Sequence, residues 1–235
     1  MKIYLASFYS PDLKRSASRF VTQAKQMKVY DFIKTFTFDD LNEDFKFYVT
    51  DLIKKGKKRG YGYWVWQTYI HQLVLSKLQD GDIYHWCDIG CHFNLGGKKR
   101  LEDYINIVSN DEIGFLGFDY KSLDDTNFSD YEFPNILEFH YTKEDLFKYF
   151  DVQKNLKITN TPQVWGGSFF IKKSEISEKI LKEHYNLSRN RFDLIDDDIK
   201  KFVEKTCEGY IEHRHTQSVL SILFKINKSD LISAY

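Results

Sequence analysis

The chain has 235 residues, enough for one generous domain with a real core. Aromatic residues make up 17%, with 20 Phe and 16 Tyr against only 3 Pro and 12 Gly, so a disordered, collagen-like or linker-like chain is excluded. Lys plus Arg (34) equals Asp plus Glu (34), and this balance argues against a nucleic-acid binder that works by neutralising phosphates.

Three cysteines, Cys87, Cys91 and Cys207, are too few and odd in number for a disulfide framework; they fit a reducing compartment. The apolar run at the start, Ile3 to Phe8, is too short for a signal segment, and Asp12, Lys14 and Arg15 follow at once. No stretch approaches the roughly 20 apolar residues of a membrane span. The expectation is a soluble, cytoplasmic protein.

In chain order, Lys2 to Phe8 reads as a strand and Leu13 to Met27 as a helix. Val29 to Phe38 alternates well enough for a second strand, and Asp39 to Glu43 looks like a helix entry. Tyr63 to Leu78 is apolar at helical spacing, through Trp66, Tyr69, Ile70, Leu73 and Val74. Ile83 to Cys87 is a strand stopped by Asp88-Ile89-Gly90. Lys98 to Val108 is a helix, Ile113 to Tyr120 a strand, and Thr142 to Phe150 a helix opened by a capping box from Thr142 to Asp145. Val164 to Ile171 is a strand, Ser174 to Tyr185 a helix, and Asp196 to Lys205 and Thr216 to Phe224 are helical. Strands alternating with helices predict an α/β domain whose mainly parallel central sheet is flanked by helices. No linker divides the chain, so residues 1–235 are expected to form a single domain, with residues 195–235 as a helical segment that is either integral or appended. Ligands of such sheets lie beyond the carboxyl ends of the strands.

Four segments carry candidate chemistry. Asp88 follows a buried strand and precedes Gly90. A carboxylate there suits a divalent cation bound to a pyrophosphate, since Mg²⁺ and Mn²⁺ favour carboxylate oxygen; the simpler role is a cap on the next turn. His85, Cys87, Cys91 and His92 crowd the same stretch, but His85 and Cys87 lie on one strand face and Asp88 on the other, which favours buried thiols over a zinc site. Behind Lys57-Lys58-Arg59, the run Gly60-Tyr61-Gly62-Tyr63-Trp64-Val65-Trp66 makes a basic loop at a helix start, suited to an anion, with rings to stack on a base or sugar or else to anchor the helix. Gly166-Gly167 opens a strand, where glycines mark either close backbone approach to a ligand or a bulge. His213-Arg214-His215-Thr216-Gln217-Ser218 offers a metal ligand in His215 and a phosphate contact in Arg214, or a polar cap around Thr216. P-loop, G-x-S-x-G and G-x-G-x-x-G patterns are absent.

Taken together, these segments resemble bacterial polysaccharide glycosyltransferases of the GT-A fold. The resemblance is carried by Arg59 to Trp66, Gly81-Asp82 through Asp88-Ile89-Gly90-Cys91, Tyr141-Thr142-Lys143-Glu144-Asp145-Leu146, and His213 to Ser218, and it spans positions 59 to 225. It implies a GT-A-like domain and a nucleotide-diphospho-sugar donor, most commonly a UDP-sugar. A divalent metal, Mn²⁺ or Mg²⁺, would be held by Asp88 and His215. Catalytic roles fall to Asp88 and Gln217, and donor contacts to Ser7, Arg59, Tyr63, Trp64, Gly90, Gly166, Gly167, Arg214 and Thr216. The acceptor would be an oligosaccharide or lipid-linked glycan of a surface polysaccharide, lipopolysaccharide or capsule, with peripheral association at the inner membrane face and no nucleic-acid partner. Three departures stand out. The Asp-x-Asp motif is reduced to Asp88-Ile89-Gly90, Thr216 replaces an Asp beside Gln217, and Gln67-Thr68 replaces a Lys-Pro pair.

An inverting course needs a carboxylate base, for which Glu138, Asp119 and Asp145 are candidates; without one, a retaining course with Gln217 on the sugar face follows. The same departures fit a catalytically degenerate carbohydrate- or nucleotide-binding module of the same fold. A metal-dependent phosphotransferase or nucleotidyltransferase would need more than one carboxylate around its metal, and only Asp88 is clearly placed.

Overall fold

A computed structural model describes residues 1–120, 136–197 and 209–233. The fold is mixed α/β, a six-stranded sheet flanked by helices. The strands are β1 (Ile3–Phe8), β2 (Phe32–Phe36), β3 (Ile83–Cys87), β4 (Phe115–Asp119), β5 (Val164–Lys172) and β6 (Asp230–Ser233), in the order β2-β1-β3-β5-β4-β6. Three ladders are parallel (β1 with β2, β1 with β3, β4 with β6), while β5 runs antiparallel to both β3 and β4.

Strand periodicity sorts the sheet side chains onto two faces. Ala6, Tyr84, Trp86, Phe115, Phe169 and Ile171 pack under the helices Glu43–Lys54, Val65–Leu75, Glu175–Asn190 and Thr216–Ile226. Leu5, Ile83, Cys87, Leu116 and Phe170 face the helices Lys14–Met27 and Lys98–Asn110. β3 is buried along its whole length, which is why it reads as a continuous apolar run instead of an alternation. Asn42 starts the helix Glu43–Lys54 by accepting from the Phe45 N–H, and Ser174 starts Glu175–Asn190 by accepting from Ser177.

Some local expectations change. The capping box at Thr142 does not form, because the Thr142 hydroxyl donates to Glu138 at 2.6 Å instead; the short helix Glu144–Tyr149 begins after Lys143 without a side-chain cap. Thr216 opens its helix as the first helical residue, one position after the capping residue His215. The helix expected over Asp196 to Lys205 falls mostly outside the described residues, as does Cys207. Toward the C-terminus, Thr216–Ile226 packs on β5, and Asp230–Ser233, unassigned from sequence, adds the edge strand β6 beside β4.

The reversed direction of β5 positions the site. Its first residues lie at the same sheet end as the last residues of β3, so Cys87 pairs with Ser168. The Asp88 N–H then donates to the Gly167 carbonyl at 2.7 Å. A strand end and a strand start more than seventy residues apart are thereby locked together.

Candidate functional site

At that end of the sheet, Asp88, Gly166, Gly167, Arg59, Trp64, Gln67, Arg214, His215, Thr216 and Gln217 line one cavity of about 220 Å³. A second hollow of about 520 Å³ adjoins it, bounded by Phe8, Tyr61, Trp66, Ile89 and Gly90, and the two share Trp64 and Asp88. Most residues singled out from the sequence therefore converge, although they come from four separate segments. Gly90 lies in the second hollow. Ser7 and Tyr63 reach neither. Ser7 is fully buried in β1, and Tyr63 is a support behind the wall.

Asp88 is half-buried, and the indole N–H of Trp86 donates to its Oδ1 at 3.1 Å. Burial pushes its carboxyl up to about 7, while the Trp86 hydrogen bond pulls the other way. Burial thus brings protonation of the Asp88 carboxyl within reach of neutral pH.

His215 is buried. Its Nδ1 lies 2.9 Å from the Ile195 carbonyl, which can only accept, so Nδ1 carries the proton and Nε2 keeps its lone pair. Nε2 is buried and has no protein partner. Desolvation lowers the ring's pKa, which keeps it neutral and able to accept or ligate. Tyr63 stacks on it at 4.1 Å and 11°, and the Tyr63 hydroxyl is anchored on Asp197 at 2.6 Å. Tyr63 therefore sets the plane of the imidazole.

Both arginines are held by one carboxylate. Glu212 accepts from Arg59 Nη1 at 3.0 Å, and its other oxygen lies 2.7 Å from Arg214 Nε, whose N–H is not aimed at it. Burial works to raise the Glu212 carboxyl, but the two guanidiniums win and hold it below its ordinary value. Glu212 is thus shared between the two guanidiniums.

The loop before the helix Val65–Leu75 is unusual backbone. Gly60, Tyr61, Gly62, Tyr63 and Trp64 all have positive φ, between 54° and 92°. This is a left-handed turn, which costs a non-glycine residue about 1–2 kcal/mol each. Trp66 holds it by donating its indole N–H to the Gly60 carbonyl at 2.9 Å. A Cβ on Gly60 would fall 2.2 Å from the Trp64 indole, so the ring folds back over that glycine. The turn presents Trp64 to both hollows.

Gln217 donates from Nε2 to Gln163 Oε1 at 2.7 Å, and its Oε1 accepts from the Gly166 N–H at 3.0 Å. Gln67 Nε2 donates to the Gly166 carbonyl at 3.2 Å. The two glutamines hold the Gly166 peptide from either side, and Gln217 has one donor and one acceptor site left for a ligand. Gly167 is required by Trp165, whose indole lies 2.4 Å from where a Cβ would stand.

Sequence reasoning missed what lies beneath. Gln163 passes the network on to Glu138 Oε1 at 3.0 Å. Glu138 is fully buried and paired with Lys225 at 2.6 Å. It does not line the cavity, so this candidate base is a structural member of the buried network. The Glx and Lys residues involved carry no motif; their meeting is purely tertiary. His85 is likewise fully engaged, with Tyr30 at 2.7 Å and Ser168 at 3.0 Å. Among the described residues no three His, Cys, Asp or Glu side chains converge as a closed metal site. Nor is any helix among them long and apolar enough to cross a membrane.

No protein-family model matches the chain. No curated protein sequence matches it either. Among solved structures, it is similar to a glycosyltransferase involved in the glycosylation of the major capsid of PBCV-1, at 12% identity over 90% of this chain and 80% of that one, with a TM-score of 0.44. It is also similar to mouse xyloside xylosyltransferase 1, at 9% identity over 99% of this chain and 84% of that one, with a TM-score of 0.43. Both are distant likenesses of shape.

Proposed function

We propose that the chain is a GT-A-type glycosyltransferase that binds a nucleotide-diphospho-sugar across the two hollows and transfers the sugar to a saccharide acceptor. The observation that carries this reading is the convergence, in one cavity, of the Asp88 carboxyl, the unpartnered His215 Nε2, the Arg59 and Arg214 guanidiniums and the Gly166-Gly167 backbone. The larger hollow, walled by Phe8, Tyr61, Trp64 and Trp66, suits a nucleoside base and ribose. The smaller, polar cavity suits the diphosphate and sugar.

A leaving nucleoside diphosphate gathers negative charge as the glycosidic bond breaks. Arg59 and Arg214 line the cavity in which that charge would grow, Arg59 fixed by its hydrogen bond to Glu212 and Arg214 by its ion pair with the same carboxylate. The residues fit a divalent cation. Asp88 would supply carboxylate oxygen and His215 its free Nε2, with phosphate oxygens completing the shell, and such a cation supplies Lewis-acid stabilisation of the leaving group. Gln217 and Gln67 fix the Gly166 peptide beside the sugar. Among the described residues no carboxylate other than Asp88 lines the small cavity, which favours a retaining course. The UDP-sugar donor, the surface-glycan acceptor and cytoplasmic placement at a membrane face remain parts of this proposal.

The test is turnover of a panel of nucleotide sugars by wild type and Asp88→Ala with Mn²⁺ present. Wild type is expected to release nucleoside diphosphate from one donor class and the variant to lose that release. A folded variant that keeps full turnover would overturn the reading.

A further inference from the structure

Cys87 and Cys91 bracket the Asp88 turn and are free thiols. Cys87 is buried at the end of β3, and Cys91 is half-exposed four residues on. The Cys91 N–H donates to the Asp88 carbonyl at 2.9 Å, closing the turn that brings the two side chains to the same side of the sheet. The two sulfurs are neighbours in this turn, and Cys87 Sγ also lies 4.0 Å from the Asp88 carbonyl. Both also line a third cavity, of about 390 Å³, on the sheet face opposite the donor cavity, between β3, β5 and the helix Lys98–Asn110. Exposed His92 and Arg100 stand at its edge, so a small polar oxidant has a route to the sulfurs. Arg19 braces the turn from the helix Lys14–Met27 by donating to the Ile89 carbonyl at 2.9 Å. Its Nη1 is buried and has no partner.

We propose that Cys87 and Cys91 form a reversible oxidation site for hydroperoxides, with Cys91 as the attacking thiol and Cys87 as the resolving one. Cys91 is the more accessible of the two, and the Arg19 guanidinium is bonded to the Ile89 carbonyl within the same turn. Its sulfur attacks one oxygen of hydrogen peroxide; the O–O bond breaks, the thiol proton leaves with the departing oxygen as water, and Cys91 becomes a sulfenic acid. The Cys87 sulfur then attacks the Cys91 sulfur; the S–S bond forms, the S–O bond breaks, and a second water carries away the Cys87 proton. Two thiols lose two electrons in all, and one peroxide is reduced to two waters. A cellular dithiol reverses the step by exchange. The ring so closed contains Asp88, Ile89 and Gly90, which couples the oxidation state to the candidate donor site.

The experiment treats the 235-residue chain and its Cys207→Ser variant with hydrogen peroxide, then digests them with trypsin. Cys87 and Cys91 fall in one peptide, residues 78–98. Both proteins are expected to give that peptide short of two hydrogens, restored by dithiothreitol. Cys91→Ser should abolish the bridge, and Cys87→Ala should leave Cys91 as a sulfenic acid that a 1,3-dione traps. The proposal is overturned if the peptide stays reduced while Cys207 oxidises, or if the trapped sulfenic acid sits on Cys87 in the wild type and Cys91→Ser. These readouts need no nucleotide, so they succeed or fail independently of the transferase reading.

Discussion

Asp88 was legible in the sequence because a carboxylate between a buried strand and a glycine is costly without a partner. What the sequence did not hold is its setting, since the Trp86 indole and the cavity wall arrive from the fold. Its folded carboxyl titrates at about 7 against an ordinary 3.8, so between those values the folded chain keeps a proton that the unfolded chain has lost. Stability therefore falls as pH rises from about 4 through 7. Asp88→Asn removes that loss: its melting temperature should exceed that of wild type at pH 8, and the gap should shrink toward pH 4. A gap independent of pH would mean that the carboxyl is not perturbed. The arginines make a second test at this scale. Arg59→Ala and Arg214→Ala should each weaken binding of a nucleoside diphosphate by about tenfold, or ~1.4 kcal/mol, in a titration, with little change in melting temperature because their ion pairs are partly exposed. His215 was flagged from sequence as a ligand. Its lone pair on Nε2 is a consequence of the Ile195 carbonyl, which no motif announces.

At the scale of elements, periodicity located most strands and helices but is blind to strand direction. β5 has the apolar pattern of any buried strand; only its pairing with β3 shows that it runs backward and delivers Gly166-Gly167 to Asp88. β6 escaped notice because four residues at a sheet edge are too few to show a period. The Gly60–Trp64 turn was marked by its glycines, but that Tyr61, Tyr63 and Trp64 also adopt positive φ could not be read from residue types that avoid that region. Gly60→Ala should force the Trp64 indole off its seat, costing about 1–3 kcal/mol, seen as a melting temperature lower by roughly 2–4 °C per kcal/mol. Beneath the cavity, Glu138→Ala strips Lys225 of its buried carboxylate and leaves its ammonium with only the long contacts to the Ile158 and Thr161 carbonyls. Urea denaturation should show a loss of about 3–5 kcal/mol, and a change under 1 kcal/mol would show that water reaches the pair.

For the molecule as a whole, the sheet acts as a frame that gathers distant segments at one end. β1 and β3 point their carboxyl ends there, β5 starts there, and the helix Thr216–Ile226 begins there. The α/β class followed from alternation alone, and so did the place to look. The depth of the cleft, its two compartments and the Gln67-Gly166-Gln217-Gln163-Glu138-Lys225 chain of hydrogen bonds under it did not, because they depend on contacts between segments far apart in sequence. In the proposed assignment Asp88 and His215 would hold a divalent cation, which would stabilise the leaving diphosphate. The most direct measurement is the shift in melting temperature with UDP, GDP, ADP and CDP, each with and without Mn²⁺, at pH 8. A shift with one nucleotide that requires Mn²⁺ and disappears in Asp88→Asn is the predicted result. Binding by no nucleotide, or binding that is indifferent both to Mn²⁺ and to Asp88, would contradict it.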